Sequence, residues 1–112
     1  MVSIILGCSM MGWAFQDPQT IQLSNGAKLV LINNPHATVA SSYVFIKTGS
    51  IDESPLGSGM SHFLEHLVAG GTTSIQAEDQ YRLTIDALGG AMNAYTTYDH
   101  TAYYIQSANH HV

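Results

Sequence analysis

The sequence predicts an α+β domain, a mostly antiparallel sheet with helices packed on one face. Three observations carry that expectation. β-rich runs at 21–32 and 39–47 precede two helical segments at 60–69 and 77–88, and two more β-rich runs follow at 91–95 and 100–106. Asn25-Gly26 marks a hairpin turn between 21–23 and 28–32, because this pair tolerates positive φ. Gly70-Gly71 and Gly89-Gly90 stop the two helical segments.

Each element has a local reason. Ile21-Gln22-Leu23 alternates as a short strand, and Asn33-Asn34-Pro35 breaks the strand at 28–32. The run 39–47 is rich in β-branched and aromatic residues. A Gly-, Ser- and Pro-rich loop spans 49–59. Ser58 is placed to cap the first helix, and Thr73 or Ser74 the second. Glu78 and Asp79 suit the positive N-terminal end of the second helix. Arg82 has Glu78 and Asp86 four residues to either side, which stabilises a helix surface. Tyr81, Ile85 and Leu88 are expected in the core. His36, after Pro35, is expected in solvent, and the adjacent His110-His111 do not share a helix face.

Composition bounds the function. The chain has 112 residues, 46% hydrophobic and 10% charged, with 3 basic and 8 acidic residues. Charged residues usually make up about 25% of a soluble domain. So few charges point to a segment that packs against more protein. A formal net charge of -5 excludes a nucleic-acid partner, which needs a basic patch. One cysteine rules out an intrachain disulfide. No apolar run reaches the roughly 20 residues that span a bilayer.

Residues 1–19 read as an export signal, or as an apolar N-terminal segment, followed by a linker at Asp17-Pro18-Gln19. Residues 1–15 carry no charged side chain, and Gly12 and Ala14 have the spacing of a cleavage site. Ile5-Leu6-Gly7-Cys8 allows a lipobox reading with Cys8 lipidated. The expected location is therefore exported, periplasmic or membrane-anchored, with any membrane tether at the N-terminus. Residues 20–112 are the folded portion.

The chemistry lies in His62-Phe63-Leu64-Glu65-His66. At about 100° per residue, His62 and His66 fall within ~40° of each other on a helix, and Glu65 lies ~60° to the other side of His62. Two imidazoles at i and i+4 can hold one zinc ion, and a carboxylate beside them can take a proton from water. Met60, Phe63, Leu64, Leu67 and Val68 form an apolar stripe about 180° away. The expectation is a helix with the stripe in the core and the histidines facing a cleft. The alternative is a solvated face linked by i,i+3 and i,i+4 contacts.

His-x-x-Glu-His is the inverzincin signature. In the setting Gly57-Ser58-Gly59-Met60-Ser61-His62-Phe63-Leu64-Glu65-His66-Leu67 it resembles the pitrilysin/insulinase family of zinc metallopeptidases, whose relatives include mitochondrial processing peptidase. A second block, from Ile85 through Asn93-Ala94-Tyr95-Thr96 to Tyr104, agrees with that family. The resemblance covers roughly residues 20–112, the N-terminal part of the catalytic half. It implies an incomplete first half of a metallopeptidase domain. It also implies His62 and His66 as zinc ligands, Glu65 as general base, and a third ligand, a glutamate, beyond Val112. Asn93 and Ala94 would hold a substrate peptide added to an edge strand, and His100 would be a structural residue of the hairpin. The expected partners are a peptide substrate and a homologous second half or partner subunit. The rival reading is a non-catalytic partner or scaffold half of the same family.

Overall fold

Asn25-Gly26 turns the chain as its residues require. Gly26 takes φ +84°, Leu23 N–H donates to Ala27 O at 2.8 Å, and Ala27 N–H donates to Asn25 Oδ1 at 3.0 Å. The turn joins β2 (Gln19–Gln22) to β3 (Lys28–Leu31), which pair antiparallel from Gln22↔Lys28 to Gln19↔Leu31. The computed structural model describes residues 2–6, 17–71, 73–77 and 79–111. Its other strands are β1 (Val2–Leu6), β4 (Val39–Ile46), β5 (Ala91–Thr96) and β6 (Thr101–Ala108). Two helices, α1 (Met60–Gly70) and α2 (Gln80–Ala87), lie between β4 and β5 in the chain. The fold is α+β, as the sequence predicts.

The six strands make one sheet in the order β2-β3-β1-β4-β6-β5. β1 runs parallel to β3 and antiparallel to β4, and the remaining neighbours pair antiparallel. The two arms joined by residues 32–38 are therefore held apart by β1, an element that local pattern does not predict. Cys8, Gly12 and Ala14, which carry the cleavage and lipidation readings, lie outside the described residues.

The pleat sorts the side chains into two faces. Ser42, Val44 and Ile46 of β4, Tyr103 and Ile105 of β6 and Met92 of β5 line an apolar cavity of about 310 Å³ under Val68 and Ala69 of α1 and Tyr81 of α2. On the far face Tyr43 stacks on Tyr104 and Phe45, with ring centres 5.0 and 5.9 Å apart.

Packing corrects the expected helix orientation. Ser61 and Glu65 are buried, whereas Met60, Phe63, Leu64, Leu67 and Val68 are each more than half exposed. The line Ser61, Glu65, Ala69 repeats every four residues and meets the sheet. Small residues flank Glu65 there and let the helix approach closely. Met60, Phe63, Leu64 and Leu67 of the apolar stripe point the other way, with no described element over them, and only Val68 at its margin reaches the cavity over the sheet. The same openness leaves Ala27 and Ala102 as the only buried hydrophobic residues described. The radius of gyration is 15.9 Å, against about 13 Å for a compact chain of this length. Tyr81 and Leu88, expected in the core, are exposed, and Ile85 is half-buried.

The second helix also starts later than expected. Thr73 Oγ1 accepts N–H bonds from Ile75 and Gln76, and Gln80 N–H bonds back to Ala77 O. Asp79, the residue before α2, sits at φ 63° and provides no side-chain cap. These local bonds compete with helix, so α2 begins at Gln80. Arg82 makes no ion pair with Asp86 among the described residues, and Glu78 lies outside them.

Candidate metallopeptidase site

Helix α1 delivers the histidines as a pair. His62 Nε2 and His66 Nε2 lie 3.1 Å apart, with ring centres at 4.7 Å. Zinc–nitrogen bonds of about 2.0–2.1 Å at a tetrahedral angle place two ligand nitrogens roughly 3.3 Å apart. The pair therefore fits one zinc ion, and both rings are exposed to receive it. Among the described residues no group of three or more His, Cys, Asp or Glu converges on a point.

Glu65 lies beneath them, 7% exposed. Its Oε2 accepts the Thr96 hydroxyl of β5 at 2.7 Å. Burial, and next the charge of Glu65, push the Tyr103 hydroxyl above its ordinary pKa. Two open cavities meet at Glu65. One, of about 470 Å³, includes His66, Asn93, Ala94 and Arg82 in its lining. The other, of about 570 Å³, includes His62, Ala94, Thr96 and Tyr98. The fold thus brings together all five residues singled out by sequence: His62, Glu65, His66, Asn93 and Ala94.

β5 is the sheet edge. Ala94 N–H donates to Asn93 Oδ1 at 2.9 Å. An N–H bonded to its neighbour's side chain points away from β6, consistent with the alternating bond pattern of an antiparallel ladder. This donor therefore faces the cleft, with the Asn93 amide as its present partner. His100 is fixed in the turn after β5: Nδ1 lies 2.7 Å from Asp99 Oδ1 and 2.9 Å from Thr97 Oγ1. Its ring packs edge-on against Tyr95. His36 is exposed.

Two further features hold α1 in place, and neither is visible as a motif. Gly59 precedes the helix at φ +89° without a side-chain cap, so Ser58 does not cap it. Instead Glu53 accepts Gly59 N–H on Oε2 and Ser61 N–H on Oε1, both at 2.6 Å. A carboxylate six residues upstream of Gly59 escapes the usual capping spacing. Behind it, Ser50 and Ile51 donate their N–H groups to Thr97 O and Tyr98 O. Gly49 makes this contact possible: a Cβ there would lie 2.5–2.7 Å from Thr97 O, Tyr98 O and Asp99 N. The 49–53 segment thereby locks the start of α1 to the β5–β6 turn.

The bonds from Ser61 and then Gly59 hold the Glu53 carboxyl below its ordinary pKa. A depressed folded pKa contributes stability above the unfolded value, and that contribution is lost as pH falls through the folded pKa. Glu53→Gln is therefore expected to lower the melting temperature at neutral pH. The gap to wild type should close on acidification below the usual glutamate range. A gap that stays constant through acid in thermal melts would remove Glu53 from the account of α1.

Known proteins are similar to this chain in sequence and in fold. The chain is 33% identical to the insulin-degrading enzyme of Homo sapiens over 92 residues, 82% of this chain and 9% of that enzyme. It is 39% identical to the zinc protease YmxG of Bacillus subtilis over 87 residues, 78% of this chain and 21% of that protein. The crystal structure of a protease from Helicobacter pylori superimposes with a TM-score of 0.79 at 28% identity, covering 87% of this chain and 23% of the protease chain. The chain thus spans less than a quarter of the length of each. The matching stretch runs through α1 and the β5 edge, and over residues 28–112 it fits the insulinase family as a whole. The chain belongs to that family, peptidase family M16.

Proposed function

We propose that this chain carries part of the catalytic centre of a zinc-dependent endopeptidase that hydrolyses unfolded peptides. The observation behind this reading is the His62–His66 nitrogen pair, set beside a buried Glu65 at an open sheet edge. His62 and His66 would hold the zinc, which when bound supplies a Lewis acid for the peptide carbonyl and for water. Glu65 takes a proton from the attacking water and passes it to the leaving amine. The presence of His62, Glu65 and His66 together favours this reading over a non-catalytic scaffold half.

Two imidazoles leave positions that catalytic zinc sites normally fill with a third protein ligand. We assign that ligand to a glutamate outside these residues, and the second wall of the cleft to a homologous half or partner subunit. Residues 1–112 alone are then expected to bind zinc weakly and to cleave nothing. Export, or a tether through residues 1–19, belongs to the same proposal. The N-terminal mass of the mature protein tests it, because cleavage after Ala14 would also remove β1.

Substrate is held by strand addition to β5. Main-chain pairing reads extended shape more than side-chain identity, so varied unstructured peptides should be cut and folded domains spared. Ala94→Pro removes an edge donor without breaking the β6 ladder, a position where proline is tolerated. The expected result in the full-length protein is a several-fold rise in KM for an unstructured peptide with zinc content unchanged. Equal cleavage of that peptide and of a folded domain of similar sequence, or unchanged Ala94→Pro kinetics, would exclude β5 as the substrate strand.

A further inference from the structure

Thr96 lies outside the His62–His66 motif and the sequence assigns it no role, yet it makes the polar contact that fixes Glu65. Its hydroxyl lies 2.7 Å from Glu65 Oε2 and 3.4 Å from Thr101 Oγ1. A hydroxyl has one proton to give. Thr101 spends its own on Thr48 O at 3.0 Å, so it turns only lone pairs toward Thr96. The Thr96 proton can go to a neutral hydroxyl at 3.4 Å or to a carboxylate at 2.7 Å. The carboxylate wins, because charge-assisted bonds are shorter and roughly twice as strong, and 3.4 Å exceeds the usual O–H···O range.

Glu65 Oε1 is different. No described residue donates to it, while every buried side-chain polar atom described has a partner. Oε1 is the oxygen with no described donor, on a side chain that lines both cavities. One carboxylate oxygen is held by the sheet, and the other has no described donor.

We propose that Thr96 is a positioning residue for Glu65: its hydroxyl pins Oε2 and leaves Oε1 as the oxygen that exchanges the proton with water and leaving amine. The Thr101–Thr48 bond acts one step behind, because it settles the direction of the Thr96 proton. Thr96 also belongs to the edge strand that would receive substrate. The same strand thus sets the position of the base and of the peptide it serves, tying their separation to one rigid element.

This inference rests on the peptidase reading, and the test separates the two. Thr96→Val, Thr96→Ala and Thr96→Ser are made in the full-length zinc-loaded protein, alone and with Glu65→Gln. Kinetics are measured on an unstructured peptide, with zinc content and melting temperature alongside. Valine keeps the shape and removes the donor, alanine guards against a valine-specific folding defect, and serine restores the hydroxyl. The expected result is a kcat about tenfold lower in the valine and alanine variants, with KM within twofold of wild type and zinc at full content. Serine should recover most of kcat, and none of the three should lower turnover further in the Glu65→Gln background. Wild-type kcat in folded Thr96→Val or Thr96→Ala, or a serine variant as slow as valine, overturns the positioning role and leaves the peptidase reading intact. Near-wild-type turnover in Glu65→Gln overturns the assignment of Glu65 as the base, and a zinc-loaded wild-type protein that cleaves no peptide overturns the peptidase reading itself.

Discussion

Glu65→Gln is expected to lower kcat of the full-length protein by about 10²–10⁴-fold, the usual share of a general base. Zinc content should be unchanged. The amide has nearly the carboxylate's shape and can still accept the Thr96 hydroxyl through its carbonyl oxygen, but it cannot take a proton from water. Metal analysis on the same sample that gives the rate separates loss of the base from loss of the metal. A variant with near-wild-type turnover would show that the proton goes elsewhere. The outcome has structural content because Glu65 is the buried member of the motif. A carboxylate held against the sheet has few alternative positions, so the loss should not be rescued by repacking.

Removing zinc is the second large effect. A chelator should bring peptide cleavage to background, and stoichiometric zinc should restore it. His62→Ala and His66→Ala should each weaken zinc by more than the roughly 10–100-fold typical of residues that only support a ligand. Competition titration with a zinc indicator reads this directly, without reference to turnover. The two nitrogens 3.1 Å apart make the loss symmetric, since either alone is a single imidazole on an exposed face. Full cleavage in chelator would exclude the metal mechanism.

Much of the fold is legible from short-range pattern. The Asn25-Gly26 turn, the strands at 28–31, 39–46 and 91–96 and the helix at 60–70 lie where local chemistry puts them. Helical spacing alone brings His62, Glu65 and His66 into one space. What it leaves open is which side of the helix the rest of the protein uses. Hydrophobic periodicity assigns the core to the strongest apolar stripe, Met60, Phe63, Leu64, Leu67 and Val68. The described sheet instead meets Ser61, Glu65 and Ala69, where small side chains allow a close approach.

The partners of the motif were likewise decided by the tertiary structure. Glu53 reaches the start of α1 from an irregular loop, and Thr96 reaches Glu65 from 31 residues away along the chain. Neither spacing belongs to a helix or a strand period. β1 enters the sheet between β3 and β4 through long-range pairing, which an apolar pentapeptide does not advertise. The sequence by itself determined the donor set, because a helix fixes residues four apart by its own geometry. The tertiary structure decided how the base is held and which face of α1 meets the sheet, because both depend on segments that meet only when the chain folds.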